Sequence, residues 1–336
     1  MEGSGKAGYK ICERLYGDKA EFICGGLFSG VEQKLDALLR SIDFEWSSFN
    51  FETIIPNSVM IKEEEFLHIS KKSIKAELNE YISSLIEEKA GKERSIEMPD
   101  VFLSLNFRNG RFKARPAPLY IFGRYKKEAG IAQSRWISPD GSYKHPSVEE
   151  LVGERAKVLF NGKGYKLHAS GREDIDARNT AGRPFVLELS EARKRKNPEM
   201  LNGVFGGVEI SDAKFLPFSA VTLVSDSHFD KTYKAKLDQS VEPFSFENIA
   251  IAQKTPERVK HRRADIIRER VVFNARSVGP DEVEITAEAG TYIKEFISGD
   301  GGRTTPSLSE LLGRQLRCTA LEVVRIEDDF LRHLGL

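Results

Sequence analysis

Cysteine, tryptophan, net charge and long apolar runs are all scarce in this sequence. Cys12, Cys24 and Cys318 are the three cysteines in 336 residues. They are too few and too scattered for a disulfide framework, which fits a reducing compartment and predicts a cytoplasmic protein. The 51 basic and 51 acidic side chains cancel, so any polyanion-binding surface has to arise from local segregation of charge. No apolar run approaches the ~20 residues needed to cross a bilayer, and the stretch from Met1 to Lys6 lacks the apolar core of a signal peptide. No membrane partner is expected. There is no internal repeat, and the length allows roughly two domains.

What is present begins with amphipathic helices. Val31, Leu35, Leu38, Leu39 and Ile42 recur every three or four positions, as do Ile74, Leu78, Tyr81, Ile82, Leu85 and Ile86. The second helix starts near Ser73 and ends at Gly91, a residue able to take the left-handed C-terminal conformation. Val101 to Phe107 alternates as a half-buried strand, turns at Asn109-Gly110 and returns near Phe112 to Ala114. The first part of the chain thus reads as a small α/β module. A polar, turn-rich passage from Ser138 to His145 predicts a domain boundary, after which Ser147 and Glu150 have the spacing of a helix capping box.

Strands then dominate: Tyr165 to Ala169, Pro184 to Leu189, Val204 to Ile210, Ala220 to Val224, Thr232 to Leu237, Arg270 to Ala275 and Glu282 to Ala287. Helices are expected at Tyr292 to Ile297 and Pro306 to Leu316. Many strands with few helices predict an α+β domain built on a mixed, mainly antiparallel sheet, not a doubly wound parallel one.

Two stretches mix charges in ways that suit RNA. Leu119 to Lys127, with Arg124 and Tyr125, interleaves rings with basic groups, which could stack on bases and meet phosphates or could be a strand edge with solvated charges. Between Lys254 and Arg270, seven basic residues, including Arg258, Arg262 and Arg263, face three acids. That excess predicts phosphate contact and salt-sensitive binding. A third cluster, Ser170-Gly171-Arg172-Glu173-Asp174-Ile175-Asp176-Ala177-Arg178, sits between two expected strands. It reads either as an exposed, screened turn or as a functional loop.

That last run resembles the catalytic loop of pseudouridine synthases, where a glycine-arginine pair leads into the catalytic aspartate. Continued through Gly182-Arg183-Pro184-Phe185, it is similar to the archaeal and eukaryotic tRNA pseudouridine synthase family, whose archaeal members modify uridines 54 and 55 of the T-arm. Asp230-Lys231-Thr232-Tyr233 resembles the segment with the active-site tyrosine, and Lys254 to Asp265 the family's basic segment. Gly290-Thr291-Tyr292-Ile293-Lys294, continued through Arg303 to Leu308, resembles the segment that carries the aspartate's basic partner. The matches fall in the family's order.

The resemblance implies a tRNA-binding isomerase that needs no cofactor, with Asp174 as nucleophile, Lys294 as its basic partner and Tyr233 against the target base. Arg172, Arg178, Arg258, Arg262, Arg263, Arg124, Tyr125 and Arg303 are the expected substrate contacts. A carboxylate suits this chemistry because it can attack as a nucleophile or remove a proton, provided that it stays ionised. Asp176 is a rival, two residues beyond the matching position. The resemblance also implies an N-terminal region similar to the THUMP RNA-binding fold beside a small zinc ribbon. Only Cys12 and Cys24 remain of the ribbon's two Cys-x-x-Cys pairs, too few thiolates for a tetrahedral site, so no metal is expected. The expected organisation is a degenerate zinc-ribbon-like segment over 1–30, a THUMP-like domain over 31–140 and a catalytic domain over 141–336. A non-catalytic tRNA-binding protein is the alternative. A methyltransferase or sulfur transferase would call for a Gly-rich cofactor loop or a reactive cysteine pair, and the sequence has neither.

Overall fold

The computed structural model describes residues 7–67, 72–135, 145–260 and 263–333. The chain forms two compact units. The first comprises Met1–Leu119, Phe160–Lys163 and Ser190–Lys196, and the second comprises Tyr120–Leu159, Gly164–Leu189 and Asn197–Leu336.

In the first unit a four-stranded sheet runs in the order Glu93–Arg94, Ser48–Ile54, Val101–Asn106, Arg111–Pro116. The Val101–Asn106 strand buries Val101, Leu103 and Leu105, one face of a period-two pattern. These side chains share a core with Ile74, Leu78, Ile82, Leu85 and Ile86 of helix Ile74–Ala90. Each such burial stabilises by about 1.5–3 kcal/mol relative to exposure. The helix begins where Ser73 Oγ accepts the Ala76 amide at 3.2 Å and stops where Gly91, at φ 61°, donates its amide to the Glu87 carbonyl. Both signals were legible in the sequence.

The zinc-ribbon-like expectation for the first residues is not what the structure contains. Residues 7–24 are helical, as Ala7–Tyr16, a short 3-10 turn and Ala20–Cys24. Folding back across that turn brings Cys12 and Cys24 together, and they form a disulfide with their Cα atoms 6.8 Å apart. Scatter along the chain therefore misjudged this pair.

The second unit is organised by an eleven-stranded sheet. Its order is Thr304–Thr305, Ser245–Lys254, Ile267–Ser277, Glu282–Ala287, Lys231–Leu237, Cys318–Ile326, Ala177–Ser190, Leu119–Lys127, Val208–Phe215, Gly203–Phe205, with Gly164–Ala169 paired to Ala177–Ser190. Most of the described pairings in this sheet are antiparallel, and an exception joins Cys318–Ile326 to Ala177–Ser190 in parallel. That exception matters for the site. Its register aligns Tyr233 with Val323 and Val323 with Asn179, so one row of the sheet links the tyrosine strand to the strand that leaves the charged loop.

Two expectations need correction here. Leu119–Lys127 lies deep in the large sheet, so the break between units falls near residue 119, not near 140. Within this strand Gly123 packs against Phe185 so closely that an added Cβ would meet the ring at 2.7 Å. The expected boundary passage from Ser138 lies almost wholly outside the described residues. Ala220 to Val224, expected as a strand, belongs to helix Ser219–Asp226. Ala220, Val221 and Val224 are its buried residues, a spacing of one and three that fits a helical face.

Candidate active site

Asp174 sits in the loop between strands Gly164–Ala169 and Ala177–Ser190, and buried groups hold that loop by its main chain. Lys127 Nζ donates to the carbonyls of Asp174, Ile175 and Ala177 at 3.2, 3.4 and 2.5 Å. Gln133 Nε2 donates to the Gly171 carbonyl at 2.7 Å, and Arg183 Nη1 to the Ser170 carbonyl at 2.5 Å. Gly171 takes φ +68°, a conformation open to glycine at no steric cost. Burial depresses the Lys127 ammonium below its ordinary value against the nearby Glu173 charge.

Under the loop, Arg183 Nε pairs with Glu173 Oε2 at 2.7 Å, with both side chains sealed from water. Tyr125 donates its hydroxyl to Glu173 at 3.0 Å and accepts from Gln133 Nε2 at 2.9 Å. Burial, reinforced by Glu173, keeps this phenol far above its ordinary range. Tyr125 is therefore a core residue, not the stacking platform that the aromatic and basic alternation suggested.

The loop opens on a cleft of about 500 Å³ that is also lined by Arg172, Tyr233, Arg258, Arg263, Tyr292 and Lys294. Side chains from distant parts of the chain meet on Asp174. Arg258 Nη1 donates to Asp174 Oδ1 at 2.8 Å, and its Nε donates to Oε1 of the buried Glu295 at 2.6 Å. Lys294 Nζ lies 3.5 Å from Asp174 Oδ2 and 2.7 Å from both oxygens of Asp176. Five groups of alternating charge thus form a chain: Asp176, Lys294, Asp174, Arg258, Glu295. Burial disfavours the Asp176 charge, but the hydrogen bond and charge of Lys294 outweigh it and hold this carboxyl below its ordinary value. The Arg258 guanidinium gains more from Glu295 and Asp174 than it loses by burial, and its pKa is raised.

Tyr233 faces the same cleft. Burial pushes its phenol up to about 12, against the opposing charge of Arg183. A neutral phenol can donate a hydrogen bond or present its ring face. Behind it, burial and the Arg183 charge bring Lys231 down to about 8.

Of the sequence-derived site residues, Arg172, Asp174, Tyr233, Arg258, Arg263 and Lys294 share the cleft. Four others are occupied elsewhere. Arg124 pairs with Asp328 and with Asp212 at 3.4 Å, and Arg178 pairs with Glu128 at 3.0 Å. Arg303 donates to the Thr255 carbonyl at 2.9 and 2.6 Å and pairs with Asp265, which ties down the segment beyond Thr255. Tyr125 is buried, and Arg262 lies outside the described residues. Sequence reasoning missed Glu295, Glu173, Lys127 and Gln133. Glu295 directly follows Lys294, but nothing in the sequence pairs it with Arg258.

The arrangement presents a carboxylate paired with two cations, and a neutral phenol beside a space large enough for a nucleobase. No group of acidic, cysteine or histidine side chains among the described residues could hold a metal ion, and no helix among them is long and apolar enough to cross a membrane.

Comparison with known proteins gives this chemistry a context. Residues 120–327 match the family described as "Pus10, C-terminal". The chain is 35% identical over 352 residues to the tRNA pseudouridine synthase Pus10 of Thermofilum pendens, covering 95% of this chain and 79% of that protein. It is 33% identical over 359 residues to the protein of the same description from Archaeoglobus fulgidus, with 94% and 99% covered. A third, from Thermoplasma acidophilum, is 35% identical over 329 residues, with 90% and 84% covered.

Proposed function

This chain belongs to the Pus10 family of tRNA pseudouridine synthases and isomerises uridine to pseudouridine in tRNA; from that premise we propose that Asp174 is the nucleophile and that the target is T-arm uridine 54, uridine 55 or both. The observation that carries the assignment is the meeting of Asp174, Lys294, Arg258 and Tyr233, drawn from four separated segments, around one cleft.

The reaction conserves atoms and electrons. The bond from C1′ to N1 breaks with its electron pair going to the uracil, the base turns, a bond from C5 to C1′ forms, the C5 proton leaves and N1 takes one up. Asp174 attacks as the nucleophile, flanked by its two cations, and the bond its carboxylate forms, at C1′ or at the uracil, breaks again before the product leaves. Tyr233 stacks on the base and, as a neutral phenol, serves as donor or relay. Arg172, exposed at the rim with no carboxylate partner among the described residues, is free to enter the space left by a flipped nucleotide or to meet phosphate. Arg263 adds a second cation toward the backbone. The first unit, with its small sheet and helices, is assigned to tRNA binding as a THUMP-like module, and the cytoplasm is the proposed compartment.

The test is a pseudouridine map of an unmodified tRNA transcript after incubation with the purified protein. Product is expected at T-arm positions with the wild type and none with Asp174→Asn, which should bind tRNA equally well. Product at other positions alone would remove the T-arm assignment, and a fully active Asp174→Asn protein would remove the nucleophile.

A further inference from the structure

The two cations on Asp174 are not held alike. Arg258 is fixed from behind by Glu295, a carboxylate only 4% exposed, and it bonds Asp174 Oδ1 at 2.8 Å. Lys294 has two anionic neighbours. It makes close hydrogen bonds to both oxygens of Asp176 at 2.7 Å, whereas its distance to Asp174 Oδ2 is 3.5 Å, outside normal hydrogen-bond range for this pair. Among the described residues Oδ1 is thus hydrogen-bonded and Oδ2 is not. A carboxylate oxygen that accepts a strong, charge-assisted hydrogen bond is a poorer nucleophile than one that accepts none, because the bond stabilises its lone pairs before attack.

We propose that Asp176 is a positioning residue for the isomerisation: it draws Lys294 off Asp174 and so leaves Oδ2 as the attacking oxygen. This rests on the assignment of Asp174 as nucleophile. Lys294 is left near enough to neutralise the site and far enough not to cap the reactive atom. Asp176 does this from a largely solvated position, with 74% of its side chain exposed. An exposed ion pair contributes little to stability, so the pair's effect is on the disposition of Lys294, not on the fold. Without the Asp176 charge, Lys294 can close the gap to Asp174, and the nucleophile also loses a neighbouring negative charge. Both changes weaken its attack.

The experiment compares wild type, Asp176→Asn, Asp176→Glu and Asp174→Asn on one unmodified tRNA transcript. The single-turnover rate with enzyme in excess and the tRNA dissociation constant are measured separately. Asp176→Asn should slow the single-turnover rate about tenfold and bind tRNA as tightly as wild type or tighter, since a negative charge facing a polyanion has been removed. Asp176→Glu should recover most of the rate. A purely structural role predicts weaker binding, or no recovery by glutamate, and either result overturns the proposal. So does a wild-type rate for Asp176→Asn while Asp174→Asn is inactive, an outcome that leaves the nucleophile assignment standing. Activity in Asp174→Asn instead brings down that underlying assignment.

Discussion

Nε of Arg183 lies 2.7 Å from Oε2 of Glu173, with side chains only 1% and 3% exposed. This pair sits directly beneath the loop of the proposed nucleophile, and Arg183 also bonds the Ser170 carbonyl. Removing one partner leaves the other as a buried, uncompensated charge. Glu173→Gln is expected to lose about 3–5 kcal/mol of stability, seen as a lower midpoint in chemical denaturation. The hydrogen bond that Glu173 accepts from Tyr125 can survive in the glutamine, so the loss reports the charge. An unchanged midpoint would mean that the guanidinium finds another partner.

Tyr233 makes a prediction about pH. Its phenol is raised by burial from 10.0 to about 12, so it stays protonated across the range in which the enzyme can be assayed. The rate profiles of wild type and Tyr233→Phe should therefore share the same alkaline limb, even though Tyr233→Phe is slower. A limb near pH 10 that vanishes in Tyr233→Phe would show that the phenolate takes part. The same shift has a stability consequence with a definite sign. The unfolded tyrosine ionises first, so this group's contribution, complete below pH 10, is lost as pH rises through about 12.

Arg263 is the basic residue to test for tRNA contact. Among the described cations of its segment, Arg258 is engaged by Asp174 and Glu295, Lys254 and Lys260 face Asp265, Arg270 faces Glu288, and Arg268, which does not line the cleft, donates to the Thr255 hydroxyl at 3.0 Å. Arg263 donates to the Tyr292 hydroxyl at 2.9 Å and has no carboxylate partner among the described residues. Arg263→Ala should weaken tRNA binding and lower the slope of log affinity against log salt by about one, with little change in single-turnover rate. An unchanged slope would exclude a phosphate contact.

The sequence was most informative where local chemistry decides structure. Ser73 and Gly91 bound their helix as expected because a cap and a left-handed stop are properties of single residues. Asp174, Tyr233 and Lys294 were singled out because their segments carry recognisable strings, and the cleft gathers all three. Long-range pairing was not legible. Nothing near Tyr125 discloses that a strand of alternating rings and cations lies in the middle of a sheet, its hydroxyl turned to Glu173. The excess of basic groups after Lys254 was real as a count but misleading as free charge, because the neutralising acids come from elsewhere in the chain. Ala220 to Val224 was misread because a run of five residues is too short for its helical spacing to stand out.

Lys127 grips the loop by three carbonyl oxygens, and these hydrogen bonds involve none of its side chains. Chemistry and scaffold are separable at this point in the molecule. An exchange at Asp174 alters the carboxylate and leaves the backbone anchor intact. On the proposed assignment, the Asp174→Asn protein is for that reason a faithful decoy, with the shape of the enzyme and none of its turnover. It is the form in which a tRNA can be held on this surface, unconverted, for as long as a structure determination requires.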